Sequence, residues 1–221
     1  MKFTHSITRR ALFTIVLLTG CAIAPHTQIP VAMYDFGLQS PTDASAASVI
    51  SDQSQLRVSL LVAEATAPIG LNSQAIQYRL AYHNPAQTHN YANSRWAAAP
   101  TALLTQKIRN HITAVTNNGV ISAGDGVRAD YTLRLELEEF SQVFDTIEQS
   151  HAVVRLRASL VERGTRTLLA QRSFSMEQVA PTANVTGAVH ALAVASDKLT
   201  RELIDWLIAK LEEEKKAIKK D

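Results

Sequence analysis

The chain has 221 residues, 46% of them apolar and 19% charged, with 8 Gly and 7 Pro, which is a globular composition and excludes a collagen-like or disordered chain. Its formal charge of +2 is misleading, because Lys2, Arg9 and Arg10 all precede Cys21 and no acid does; from Cys21 onward 19 basic residues face 20 acidic ones, or −1. That balance gives no electrostatic basis for a nucleic-acid partner, and Cys21, as the single cysteine, excludes an intrachain disulfide.

Met1 to Arg10 carry three positive charges, Ala11 to Leu18 form an apolar run broken by Thr14, and the run ends in Leu18-Thr19-Gly20-Cys21. As a helix such a run reaches about 12 Å against a hydrocarbon core of ~30 Å, so residues 1–20 read as a removable signal peptide. Leu18, Thr19 and Gly20 match a lipobox, which predicts a diacylglycerol thioether on Cys21 and a further acyl chain, of the palmitate kind, on its amine. A lone cysteine in an exported chain favours that reading, since oxidising compartments select paired cysteines or none. At ~0.8 kcal/mol per buried CH₂, one chain holds a protein marginally and two or three hold it stably. Ala22 stands where Asp would retain a lipoprotein in the inner membrane, so the expected location is the periplasmic face of a Gram-negative outer membrane. Thr8-Arg9-Arg10-Ala11-Leu12-Phe13 also resembles a degenerate twin-arginine signal, which leaves the export route open.

The mature chain divides into a tether over 21–30, a domain over 31–211 that contains a mobile link at 39–55, and a charged extension over 212–221. The link alone would span roughly 20 to 25 Å as a random coil. Tyr34-Asp35-Phe36 reads as a short strand whose edge could pair with another chain. Leu56, Val58, Leu60 and Val62 alternate as a half-buried strand, and Tyr78, Leu80 and Tyr82 as a second. His83 to Asn90 is polar and holds Pro85, which predicts a loop, with Tyr91 to Trp96 returning as a short strand. Pro100 opens a helix with Leu103, Leu104, Ile108, Ile112 and Val115 on one face, stopped by Asn117-Asn118-Gly119.

Asp125-Gly126 marks a turn before the strongest strand pattern, Tyr131, Leu133, Leu135 and Leu137. Phe140 and Phe144 then change phase, which predicts a β-bulge near Glu138-Glu139. Ala152 to Leu160 and Leu168 to Met176 complete an antiparallel meander, with Glu136 and Glu138 facing Arg155 and Arg157. After Pro181 one apolar stripe, Val185, Ala188, Val189, Leu192, Ala195, Leu199, Leu203 and Trp206, predicts a long helix. The expected fold is a single α+β domain in which an antiparallel sheet carries two helices on one face.

The chemistry-bearing residues are sparse. His83 and His89 lie in the polar loop without a cysteine or carboxylate to complete a tetrahedral site, and His111 and His190 read as helix packing residues. Neither a nucleophile elbow, a zinc-helix motif nor a phosphate loop occurs, so no catalytic residue, metal or cofactor is expected. The better candidates are for partner binding: Tyr34, Tyr82, Tyr91, Arg95 and Trp96, aromatic and arginine side chains of the type that anchors interfaces.

The lipobox, Tyr34-Asp35-Phe36-Gly37, Ile76-Gln77-Tyr78-Arg79 and above all Tyr91-Ala92-Asn93-Ser94-Arg95-Trp96 followed by Pro100 resemble the ABC-type transport auxiliary lipoproteins of the paraquat-inducible protein C kind. The resemblance runs from about Val31 to Leu211. It implies a non-enzymatic outer-membrane lipoprotein that works with an inner-membrane ABC permease and ATPase and with an MCE-domain protein, in systems that move lipids between membranes; some such proteins form homo-oligomeric rings. The alternative reading is a structural or regulatory lipoprotein of peptidoglycan assembly.

Overall fold

The strand that orders the molecule is the one with the cleanest alternation. Leu133, Leu135 and Leu137 are all buried, while Arg134 and Glu136 between them are exposed. Each buried leucine contributes about 1.5–3 kcal/mol, several times an exposed cross-strand ion pair, so the apolar face decides which way the strand faces. The computed structural model describes residues 30–36, 59–115, 120–121, 126 and 128–218. The expected signal peptide over 1–20, Cys21, the expected link over 39–55, Leu56, Val58, Asn117 to Gly119 and Asp125 lie outside the described residues.

In chain order the elements are β1 (Ala32–Tyr34), β2 (Leu60–Val62), a 3-10 turn (Ile69–Leu71), β3 (Ala75–Leu80), β4 (Asn84–Trp96), α1 (Pro100–Val115), β5 (Val120–Ile121), β6 (Tyr131–Phe144), β7 (Ser150–Glu162), β8 (Leu168–Val179) and α2 (Val185–Ile218). The strands form one eight-stranded sheet. The α+β class holds, and β6, β7 and β8 are the expected antiparallel meander.

The rest of the sheet is mixed rather than antiparallel. β6 gives one edge to β7, and its other edge is shared by three successive segments that all run parallel to it. These are β2 opposite Tyr131 to Leu133, Thr66 opposite Glu136, and β3 opposite Gln142 to Phe144. β1 also runs parallel to its neighbour β4. Period-two alternation encodes which face is buried but not the direction of the partner, so this could not be read from spacing.

Two local features follow the chemistry of single residues. The register of β6 against β7 shifts between Leu137 and Glu139, so Glu138 is the extra residue that turns Phe140 onto the apolar face. β4 is far longer than the expected return strand and begins at Asn84, leaving a turn of only Ala81 to His83. Pro85 is accommodated because the β3–β4 register slips between Arg79 and Leu80, where a missing N–H costs no ladder bond, and β1 covers β4 only from Ser94 to Trp96.

Both helices lie on the leucine face of β6. Leu104, Ile108 and Ile112 of α1 and Leu192, Ala195, Leu199, Leu203 and Leu207 of α2 join one core with Leu133 to Leu137, Val154, Leu156 and Leu160. Asn184 caps α2 by accepting the Gly187 N–H on its side-chain oxygen at 3.0 Å. Between the helices the Lys107 ammonium pairs with Asp197 and lies 5.7 Å from the Phe36 ring centre. No helix among the described residues is long and apolar enough to cross a membrane.

Candidate functional site

The residues singled out for partner binding fall into three settings. Trp96 is 1% exposed and therefore core, not surface. Its ring meets Phe36 edge-on at 5.5 Å and Phe140 at 5.6 Å, so the segment just after β1 and strand β6 close around it. Arg95, one position earlier, necessarily points the other way and is exposed, opposite Met33 of β1, which is 62% exposed. Tyr34 is half-buried on that edge strand, and its carbonyl accepts the Ala97 N–H at 2.7 Å.

Tyr91 is half-buried and engaged internally. Its hydroxyl donates to Gln142 Oε1 at 2.6 Å, and Gln142 Nε2 in turn donates to Ser150 Oγ at 2.7 Å. Burial, with Tyr78 as the lesser cause, pushes the phenol up to about 12. Tyr78 is the hub of this group: His89 stacks on it at 5.1 Å, Tyr91 lies at 4.8 Å and Phe144 at 5.7 Å. His89 is thus held in a strand by an aromatic neighbour, whereas His83 is exposed in the turn.

Tyr82 is 49% exposed at the tip of the β3–β4 hairpin. The Ala81 N–H donates to the Phe144 carbonyl at 2.9 Å, which brings this tip beside the β6–β7 hairpin and its exposed Ile147. Sequence reasoning did not single out Ile147 or Met33, because an isolated apolar residue in a polar stretch carries no periodic signal. The arrangement offers two exposed surfaces: a hairpin end with Tyr82 and Ile147, and an edge with Met33, Tyr34 and Arg95.

Many of the other charged groups on the sheet are paired with one another. Glu139 sits between Arg155 at 3.1 Å and Arg79 at 3.7 Å, while Arg157 takes Glu136 at 3.5 Å and also Glu138. Arg155 meets Glu139 rather than Glu136 or Glu138 because the bulge shifts the register by one. His151 Nδ1 lies 2.8 Å from Asp145 Oδ2, and His111 Nδ1 lies 3.0 Å from the Lys107 carbonyl. His190 is exposed, since it falls off the stripe that buries Ala188 and Leu192. Among the described residues no three His, Cys, Asp or Glu side chains are grouped so as to hold a metal ion.

Comparison with known proteins adds a family and a fold. The model of the ABC-type transport auxiliary lipoprotein component matches residues 36–204. No curated protein matches the chain significantly. Among solved structures, a Xanthomonas campestris protein of the DUF330 family superposes with a TM-score of 0.65 at 21% identity, covering 73% of this chain and 90% of its own. An uncharacterised protein superposes at 0.60 and 16% identity, covering 80% and 99%. At these identities the likeness speaks for the fold.

Proposed function

The chain belongs to the family of ABC-type transport auxiliary lipoprotein components, and from that premise we propose that it is the outer-membrane-anchored docking subunit of an ABC/MCE-type intermembrane lipid transport system. The observation that carries the reading is the family match across 36–204, which spans the chain from Phe36 beside Trp96 to the buried face of α2. In this reading acyl chains on Cys21 hold one end at the bilayer and the segment to Gln55 supplies reach. The folded domain then presents Tyr82 and the Tyr34 to Arg95 edge to an MCE-domain protein above the inner-membrane permease and ATPase. The chain acts by holding and positioning, not by catalysis. Among the described residues β4 is the one strand that pairs with β1, and such an edge position supports assembly of copies into a ring, since an open edge accepts a further strand.

Purification of the intact lipoprotein from gently cross-linked membranes tests this. The expected result is recovery of an MCE-domain protein together with the permease or ATPase. Recovery of the chain alone, or with a peptidoglycan synthase instead, contradicts it.

A further inference from the structure

The face of the sheet opposite the helices carries a groove of about 740 Å³ at the β7–β8 hairpin end. Cross-strand register builds it in two rows. The first is Leu61 of β2, Thr132 of β6, Val161 of β7 and Leu168 of β8, and the second is Ala63, Arg134, Ser159 and Gln171. Leu61 and Val161 are half-buried and Leu168 is 53% exposed, so the first row is apolar apart from Thr132 and open to solvent. Arg163 and Arg166 close the hairpin end.

The charge here differs from the rest of that face. Further along the meander, Arg155 and Arg157 are each matched by a glutamate. Arg134 instead faces Ser159, and none of Arg134, Arg163 and Arg166 has an ion pair among the described residues. Glu162 is the single acid in the lining and accepts a hydrogen bond from the Thr165 hydroxyl, so three arginines against one glutamate leave a formal +2. Arg166 also has φ 61°, the one non-glycine residue with positive φ among those described, although glycine takes that conformation without steric cost. Guanidinium groups bind phosphate oxygens in a bidentate manner, and the groove's volume is in the range of small-ligand sites.

We propose that this groove binds a phosphate-bearing lipid, the phosphate on Arg134, Arg163 and Arg166 and the hydrocarbon along Leu61, Val161 and Leu168. The choice of a membrane lipid over a free phosphate rests on the transport reading above. An acidic peptide would use the arginines but not the apolar row, and a neutral amphiphile the reverse.

The test is titration of the intact lipoprotein in detergent with dihexanoyl phosphatidylglycerol, followed by native mass spectrometry. Inorganic phosphate, dihexanoyl glycerol and a glutamate-rich peptide serve as parallel probes. The expected result is one retained phospholipid, weakened at least tenfold both in the combined Arg134→Gln, Arg163→Gln, Arg166→Gln variant and in Leu168→Asp. These side chains are at the surface, and circular dichroism verifies the fold of each variant. Unchanged affinity in both variants overturns the proposal, as does equally tight binding of any of the three other probes. Docking to the transporter is read separately by co-purification, so a chain that docks but retains no lipid refutes this site without touching the transport reading.

Discussion

The Tyr91 hydroxyl donates to Gln142 Oε1 at 2.6 Å and so ties the β3–β4 hairpin to the strand at the centre of the sheet. Gln142 is fully buried, and its amide nitrogen is already committed to Ser150. Tyr91→Phe therefore leaves a buried acceptor without a donor, a cost of about 1–3 kcal/mol, lowering Tm by several degrees in thermal unfolding. The same phenol sets a pH dependence. Its pKa in the fold, about 12, lies above the ordinary value of 10.0, so the stabilisation is complete below pH 10 and is lost as pH rises to about 12. The gap in unfolding free energy between the native chain and Tyr91→Phe is expected to narrow across that window.

Arg95 and Trp96 place an exposed and a buried side chain at adjacent positions. Trp96→Ala removes a ring packed against Phe36 and Phe140 and costs about 3–5 kcal/mol, a large share of the roughly 5–15 kcal/mol that holds a domain folded, so soluble yield falls sharply. Arg95→Ala changes stability by no more than about 0.5 kcal/mol, as expected of an exposed side chain, while reducing recovery of the transporter partner. Denaturation curves and co-purification on the same two variants check both halves.

Gly187 lies in the first turn of α2, where helix propensity alone favours alanine by about 1 kcal/mol. A Cβ there would fall 1.9 Å from the Thr182 carbonyl oxygen. Gly187→Ala is therefore expected to destabilise, by about 1–3 kcal/mol in urea unfolding, because the backbone before the Asn184 cap must move. A stabilised variant would contradict this packing.

Much of this architecture is legible in the sequence, and the boundary of legibility is physical. Leu133 to Leu137 and Ala152 to Leu160 announce a meander, and the phase change at Phe140 announces the bulge, because side-chain period maps directly onto faces. Both helices are visible for the same reason. What stayed hidden depends on distant partners. His83 to Asn90 looks like a loop until Tyr78 is placed against His89 and a register slip absorbs Pro85. Trp96 has the residue type of an interface anchor, and only Phe36 and Phe140, 60 and 44 positions away in sequence, make it core. The arginine groove was illegible because Arg134, Arg163 and Arg166 meet only through the pairing of three strands.

Cys21 is outside the described residues, and its acylation is a proposal with a chemical test. Globomycin is expected to arrest processing of the precursor, and mass spectrometry of the exported protein to find acyl chains on Cys21. Cys21→Ser is expected to abolish both the acyl chains and the processing at this position, so that only unprocessed precursor is found.

In-cell photo-cross-linking from a benzoyl-phenylalanine at Tyr82 and, separately, at Arg95 tests the docking role most directly, because both positions are exposed in the folded domain. The expected result is an adduct with an MCE-domain protein from at least one of the two positions, lost when acylation is blocked. Adducts with a peptidoglycan synthase alone, or none from either position in a folded and anchored protein, would contradict it.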